Sequence, residues 1–363
     1  MLDFEKLILG QAKRYPEFTP RDAIKAVFQA VLGPGHLISD EREAERYIRE
    51  ELAAVKPTCS PALVEPLGGR FFRLHLGALK CSGLSVRTLT RMLMLSTEVE
   101  TGSRSELEAG ADAIVRLADE GKLPFSVDEA RAAVDAWRDA DFPICRHSER
   151  FHAKYAPSYR VLAGQLSALL PLLCRLDSRL REGQRTILAI DGMAGAGKSS
   201  LARLIEDLYG CAVFRADDYF PRPEQRTPKR LAEPGGNLDR ERLRDEILEP
   251  LAYGADRITY RGFDCGEMRL GEPKTVGVGK LAVVEGSYSL HPELRRYYTD
   301  TVFLRTPEFL QRARIIERNG DYAETFFSKW IPMENAYIEA TQAMRQCEFL
   351  LNAMDIEIKL RQE

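Results

Sequence analysis

Between residues 192 and 199 the chain reads GMAGAGKS, which satisfies G-x-x-x-x-G-K-[ST]. Each residue type at that spacing has a task around a row of phosphates. Glycines let the backbone fold back so that its N–H groups face an anion, and the helix that follows adds the positive end of its dipole. The residues expected to bind are Gly192, Ala194, Gly195, Ala196, Gly197, Lys198, Ser199 and Ser200. Lys198 would neutralise the outer phosphates, and Ser199 would ligate magnesium. The flanks are the required ones, with the apolar run TILAI before the loop and SSLARLIEDL after it. A strand enters and a helix leaves, so ATP and Mg2+ are the expected cofactors.

Acids downstream supply the rest of the chemistry. The strand-like run AVFRA ends in Asp217 and Asp218. That puts carboxylates at the C-terminal edge of a sheet, where ligands of open α/β folds bind, and one of them could take the proton from a hydroxyl attacking a γ-phosphate. Glu285 ends the run LAVV, and an acid closing a buried strand beside a phosphate loop suits metal or water ligation. Arg312, Arg314 and Arg318 fall on one predicted helix, where Arg314 and Arg318, four apart, share a face.

Taken together, GMAGAGKSS, RADDYF, GGNLDRERL, VVEGSY and the FLQRARIIERNG that follows TVFLRTPE resemble the uridine kinase, nicotinamide riboside kinase and phosphoribulokinase group of P-loop kinases. The resemblance spans about residues 184 to 350. It implies Asp217 as catalytic base with Asp218 a more variable neighbour, Glu285 in the magnesium shell, and Asp239 accepting from a ribose diol. Tyr260, Arg261 and Asp264 would belong to a substrate-side loop, and one arginine among Arg312, Arg314 and Arg318 to a lid that clamps the phosphoryl group. The implied activity is ATP-dependent phosphorylation of a small-molecule acceptor, a nucleoside first among them. Asp239 also stands where an N-cap would open ERLRDEIL. The segment PRPEQRTPKRLAEPGGN is long and lacks the histidine-containing stretch of uridine enzymes. A sugar acid or vitamin precursor as acceptor, or an ATP-sensing regulator without product, stays open.

The elements that must position these residues change character along the 363 residues. Thr19-Pro20-Arg21-Asp22 reads as an N-cap, a proline at the first helical position and an acid in the first turn, with a stop at Gly33. Further helical periodicity follows at EREAERYIREELAAV, SVRTLTRMLMLSTEV, SELEAGADAIVRLADEG and SVDEARAAVDAWRDA. Residues 1–165 are expected as a mainly helical domain, and 166–183 as a helical linker within a helical stretch 160–185 that Pro171 bends or breaks. From 184 to 363 short β-branched runs alternate with helices. That predicts an α/β fold, a P-loop kinase domain with a parallel sheet flanked by helices.

Composition excludes several classes. Residues 1–185 hold 27 Lys+Arg against 26 Asp+Glu and the remainder 25 against 29, so neither half has the basic balance of a nucleic-acid binder. No apolar run approaches the roughly 20 residues of a membrane span. The opening MLDFEKLILGQAKRYPEF lacks the pattern of a signal peptide, so the expected location is the cytoplasm. Seven cysteines without a C-x-x-C pair suit neither a disulfide framework nor a zinc cage. Nothing here speaks to oligomeric state. Three of the five histidines lie in Gly33-Pro34-Gly35-His36 and in the run Cys145, Arg146, His147, Ser148, Glu149, His152 and Tyr155. Those segments could meet as a second site, although their spacing matches no zinc signature.

Overall fold

The computed structural model describes residues 2–34, 40–58 and 63–356. Gly35, His36 and Cys59 lie outside the described residues. The chain divides into two compact units between Cys174 and Arg175.

The first unit contains helices α1 Phe4–Arg14, α2 Pro20–Leu32, α3 Glu41–Ala54, α4 Leu76–Ser82, α5 Val86–Thr97, α6 Arg104–Asp119, α7 Val127–Asp139 and α8 Glu149–Tyr155. Their ends follow from local chemistry. The Thr19 N–H donates to the Asp22 carboxylate at 3.2 Å, and α2 stops at Gly33 with φ of 70°. Ser103 with Glu106 and Ser126 with Glu129 form the same reciprocal caps at α6 and α7.

Within this mainly helical unit a three-stranded antiparallel sheet that the sequence reading did not anticipate also forms, from β1 Val64–Leu67, β2 Phe71–His75 and β3 Tyr159–Ala163. Its hairpin turns on Gly68 and Gly69, with φ of 75° and 100°, the left-handed pair that a tight β-turn demands. Strand β3 takes the start of the stretch expected as helix, because pairing with β2 buries Val161, Leu162 and Ala163. Helix α9 Leu166–Arg181 then runs unbroken through Pro171. A proline costs a helix interior about 3 kcal/mol, but each buried leucine returns about 1.5–3. Leu166, Leu169, Leu170, Leu172, Leu173 and Leu176 are all buried.

The second unit is built on a five-stranded sheet. Strand β4 Thr186–Gly192 is buried at every residue and is followed by α10 Lys198–Tyr209 and β5 Ala212–Arg215. Next come α11 Pro228–Ala232, α12 Arg240–Leu243 and α13 Glu249–Ala252. The helix expected over ERLRDEILEPL is thus not uniform: a π turn, Arg244–Leu248, joins α12 to α13, and Pro250 just beyond it has no N–H for a regular ladder. Two small antiparallel pairs follow, β6 Arg257–Tyr260 with β9 Lys274–Gly277, and β7 Phe263–Asp264 with β8 Arg269–Leu270. The chain continues through β10 Leu281–Glu285, β11 Asp300–Arg305, α14 Glu308–Asn319, α15 Ala323–Thr325, α16 Ile331–Thr341 and β12 Phe349–Asn352.

The large sheet runs β12-β11-β4-β10-β5, and all four neighbouring pairs are parallel. The strand after β4 is not its neighbour, since β10 lies between β4 and β5. The carboxyl ends of β4, β5 and β10 therefore open side by side, and ligands of parallel sheets bind at that edge. No described helix is long and apolar enough to cross a membrane.

Candidate active site

The loop between β4 and α10 has the backbone its glycines allow. Gly192, Gly195 and Gly197 have φ of 154°, 70° and 91°. At Gly192 a Cβ would lie 2.4 Å from the Leu304 carbonyl oxygen, so the close approach of β4 to β11 requires glycine there. Lys198 folds back over the loop, and its Nζ donates to the carbonyls of Gly192 at 2.9 Å and Met193 at 3.2 Å. The carboxylates of Asp191 and Glu285 also feel its charge.

Ser199 and Glu285 meet as the expected pair. Ser199 Oγ donates to Glu285 Oε1 at 3.0 Å, and Glu285 is buried at the end of β10. Burial raises the Glu285 carboxyl above its ordinary range; the Ser199 hydrogen bond partly offsets this, while the negative charge of Asp217 adds to it. The two acids of the DD pair have different surroundings. Asp217 is exposed, in the 3-10 turn Ala216–Asp218 after β5. Asp218 is half-buried and faces Gly262; burial raises its carboxyl against the attraction of Lys274 and Arg215.

Three contacts hold the outer side of the loop. Gln311 Nε2 donates to the Ala194 carbonyl at 3.0 Å, and Arg314 Nη1 donates to that of Gly195 at 3.0 Å. The Ala194 N–H donates to Glu334 Oε2 at 2.9 Å, and Ser287 Oγ donates to Glu334 Oε1 at 2.6 Å. Of the three arginines, only Arg314 has a hydrogen bond to the phosphate loop. Arg312 lies over the Phe327 ring at 4.1 Å, and Arg318 over Phe326 at 5.5 Å.

Asp191, the residue before Gly192, is a second buried carboxylate that motif reading passed over. It accepts from the N–H groups of Gly192 (2.7 Å), Tyr288 (3.1 Å) and Leu290 (3.0 Å) and from the Tyr337 hydroxyl (2.8 Å). One acid thus ties β4, the loop after β10 and α16 together. Its signal in the sequence was the one used for Glu285, an acid closing a buried apolar strand. Glu334 and Tyr337, three apart on α16, left no comparable local signal.

The substrate-side residues divide. Asp239 is fully buried and caps α12, accepting from the Arg242 N–H at 3.2 Å and from Gln225 Nε2 at 3.1 Å. Its Oδ2 accepts no hydrogen bond and has Arg222 Nε 3.5 Å away. Tyr260 packs in the core against Phe214 and Tyr219, with ring centroids 5.6 and 6.5 Å apart. Arg261 is exposed and donates to the Gly271 carbonyl at 2.8 Å. Asp264 accepts from the N–H groups of Gly266 (2.8 Å) and Glu267 (3.0 Å), an arrangement that shapes the β7–β8 turn.

In the first unit, His147 is the centre of a buried polar network. Its Nδ1 pairs with Asp22 Oδ1 at 2.8 Å and its Nε2 with the Tyr159 hydroxyl at 2.6 Å. Tyr155 instead accepts from the Glu17 N–H. Arg73, 1% exposed, bonds Glu65, Gln11 and Gln29. No group of three or more metal-ligating side chains occurs among the described residues.

No protein-family model matches this chain, and neither does a curated protein sequence. Solved structures do resemble it over its C-terminal half. A possible uridine kinase from Bacillus stearothermophilus is 19% identical over 46% of this chain and 89% of its own, with a TM-score of 0.37. D-glycerate 3-kinase from Cryptococcus neoformans is 15% identical over 53% of this chain and 94% of its own, with a TM-score of 0.36. A gluconokinase from Sinorhizobium meliloti is 18% identical over 49% of this chain and 85% of its own, at 0.29.

Proposed function

We propose that the C-terminal unit is an ATP-dependent small-molecule kinase, transferring the γ-phosphoryl group of ATP to a hydroxyl. The observation that carries the reading is the Ser199–Glu285 pair at 3.0 Å, beside a glycine loop whose lysine donates to two loop carbonyls. Two hard oxygen donors fit magnesium, which takes one or two protein ligands and completes its shell with phosphates and water. Bound there, the ion would neutralise charge on the β- and γ-phosphates.

The chain's own groups do the rest. Asp217 accepts the proton of the acceptor hydroxyl as its oxygen bonds to the γ-phosphorus and the bond to the β-bridging oxygen breaks, giving a phosphomonoester, ADP and a proton. Lys198 exchanges its two carbonyls for phosphate oxygens, and Arg314, adjacent to Gly195, stabilises charge on the moving group.

A nucleoside is the acceptor the sequence resemblance favours, through Asp239 and Tyr260. One observation favours an anionic acceptor, such as a sugar acid. Arg215 and Lys274 act electrostatically on Asp218, yet neither has an ion-pair partner among the described residues. The test is ATP-dependent phosphorylation across uridine, cytidine, nicotinamide riboside, D-fructose, D-gluconate, D-glycerate and pantothenate. Formation of one phosphomonoester is the expected result. Tight ATP binding without any product would turn the reading toward a nucleotide-sensing regulator.

A further inference from the structure

Tyr288 is the third residue after Glu285, and its φ is 71°. A residue with a large ring seldom keeps the left-handed conformation unless its surroundings impose it, and such strain collects at functional sites. Here the surroundings do impose it. Asp191 holds the N–H groups of Tyr288 and Leu290, and the Gly286 N–H donates to the Ile190 carbonyl at 3.0 Å.

The side chain is 7% exposed and meets the Tyr337 ring edge-on, with centroids 4.9 Å apart. The two tyrosines differ in their oxygens. Tyr337 donates its hydroxyl to Asp191, whereas the Tyr288 hydroxyl has no hydrogen-bond partner among the described residues. That oxygen is not one of the fully buried atoms left without a partner, so it lies where a ligand can reach it, a handle that phenylalanine would lack. The loop carrying Tyr288 also touches the turn carrying Asp217, since a Cβ on Gly286 would lie 2.7 Å from the Ala216 Cβ. Burial, then the charges of Glu334, Asp191 and Asp217, raise the Tyr288 phenol well above its ordinary range. It is therefore a donor at neutral pH.

We propose that Tyr288 contacts the acceptor, donating its hydroxyl proton to a second oxygen of the molecule whose hydroxyl Asp217 deprotonates. This rests on the phosphotransfer reading above and narrows it, because the acceptor must carry an oxygen near the reacting hydroxyl. Polyols, sugars and hydroxy acids qualify; simple aliphatic alcohols do not.

The experiment runs wild type and Tyr288→Phe in parallel on the seven acceptors above, with ATP kinetics and melting temperature on both proteins. For the acceptor that turns over, kcat/KM should fall about 10- to 100-fold, chiefly through KM, while the KM for ATP stays within about twofold. Melting temperature should hold, because ring and backbone are unchanged. A deoxy analogue of that acceptor, given to the unaltered protein, reads the same contact from the other side and should lose a similar factor. Unchanged acceptor kinetics in Tyr288→Phe, or a deoxy series in which every analogue matches the parent, overturns the assignment and leaves the kinase reading intact. Absence of turnover by wild type on all seven overturns both.

Discussion

Two buried carboxylates, one in each unit, are satisfied in opposite ways. Glu65 accepts from the Arg73 guanidinium at 2.7 Å, Gln11 at 2.8 Å and Tyr15, and pairs with His75 at 3.0 Å. Burial alone would raise its carboxyl, but the His75 hydrogen bond and the Arg73 charge outweigh it and hold the group well below its usual range. Asp191 accepts from three backbone N–H groups and one phenol, and burial prevails over these and over the Lys198 charge, raising its carboxyl. In the first unit Arg73 is thus paired with a buried carboxylate. In the second, Lys198 donates to two loop carbonyls that a phosphate can replace. A fully paired network reads as structure, while a lysine folded over a glycine loop between a strand and a helix reads as an anion site.

That contrast is open to test, beginning with its most sensitive point. Lys198→Ala should reduce phosphoryl transfer about 1000-fold or more, the scale of a charge clamp on the phosphoryl group, while the melting temperature stays near that of wild type. Single-turnover kinetics and thermal melts on one preparation decide it, and a folded variant with normal turnover would remove the phosphate-site reading.

Arg73→Met should do the reverse. It strands Glu65 in the interior, which typically costs about 3–5 kcal/mol, so denaturant unfolding should register a large loss. Replacing both partners, Arg73→Met with Glu65→Gln, should recover part of it. A single variant as stable as wild type would mean that the network is not what holds this unit together.

A third test uses pH. Burial brings the His147 imidazole down to about 4 from 6.5, despite its bond to Asp22. The unfolded chain therefore binds that proton more readily, and stability declines as pH falls from 6.5 toward 4. For Asp22, burial alone would raise the carboxyl, but hydrogen bonds from His147, Thr19 and Ser148 outweigh it and bring it down to about 2. Its contribution is present above the ordinary carboxylate range and disappears only as pH falls through about 2. His147→Gln should flatten the upper window, by about 3 kcal/mol at most. An identical slope in the variant would contradict the assignment.

The smallest expected effect separates the acids of the DD pair. Asp217→Asn should lower turnover about 100-fold, as removal of a general base does, with nucleotide affinity kept. Asp218→Asn should lose less. The opposite ranking would move the base by one residue.

What the sequence disclosed was whatever is decided within a few residues. The phosphate loop was legible because glycine positions, Lys198 and Ser199 all lie in one octapeptide, and caps such as Thr19 with Asp22 span a single turn. Asp239 was read both as substrate contact and as helix cap; the cap is present, and its Oδ2, which accepts no hydrogen bond and has Arg222 nearby, leaves the first reading to experiment. The sheet of the first unit was missed, although Gly68-Gly69 between EPL and RFFRLH is a hairpin signal. Its third strand lies about 90 residues further on, where an apolar run reads equally well as helix. Glu334, Tyr337 and Gln311 were invisible for a related reason. They bond residues more than a hundred positions away, and nothing local distinguishes them from other helix residues.

The bond from the Ala194 N–H to Glu334 joins residues 140 positions apart. At about 5–20 residues per second of synthesis, 140 residues take roughly 7–28 s. Throughout that interval the nascent chain carries a complete glycine loop without the carboxylate that fixes its outer edge or the Tyr337 phenol that anchors Asp191. The geometry proposed to hold a nucleotide is therefore complete only late in translation, with the emergence of α16, and a ribosome stalled before residue 331 would display the glycine loop without its finished shape.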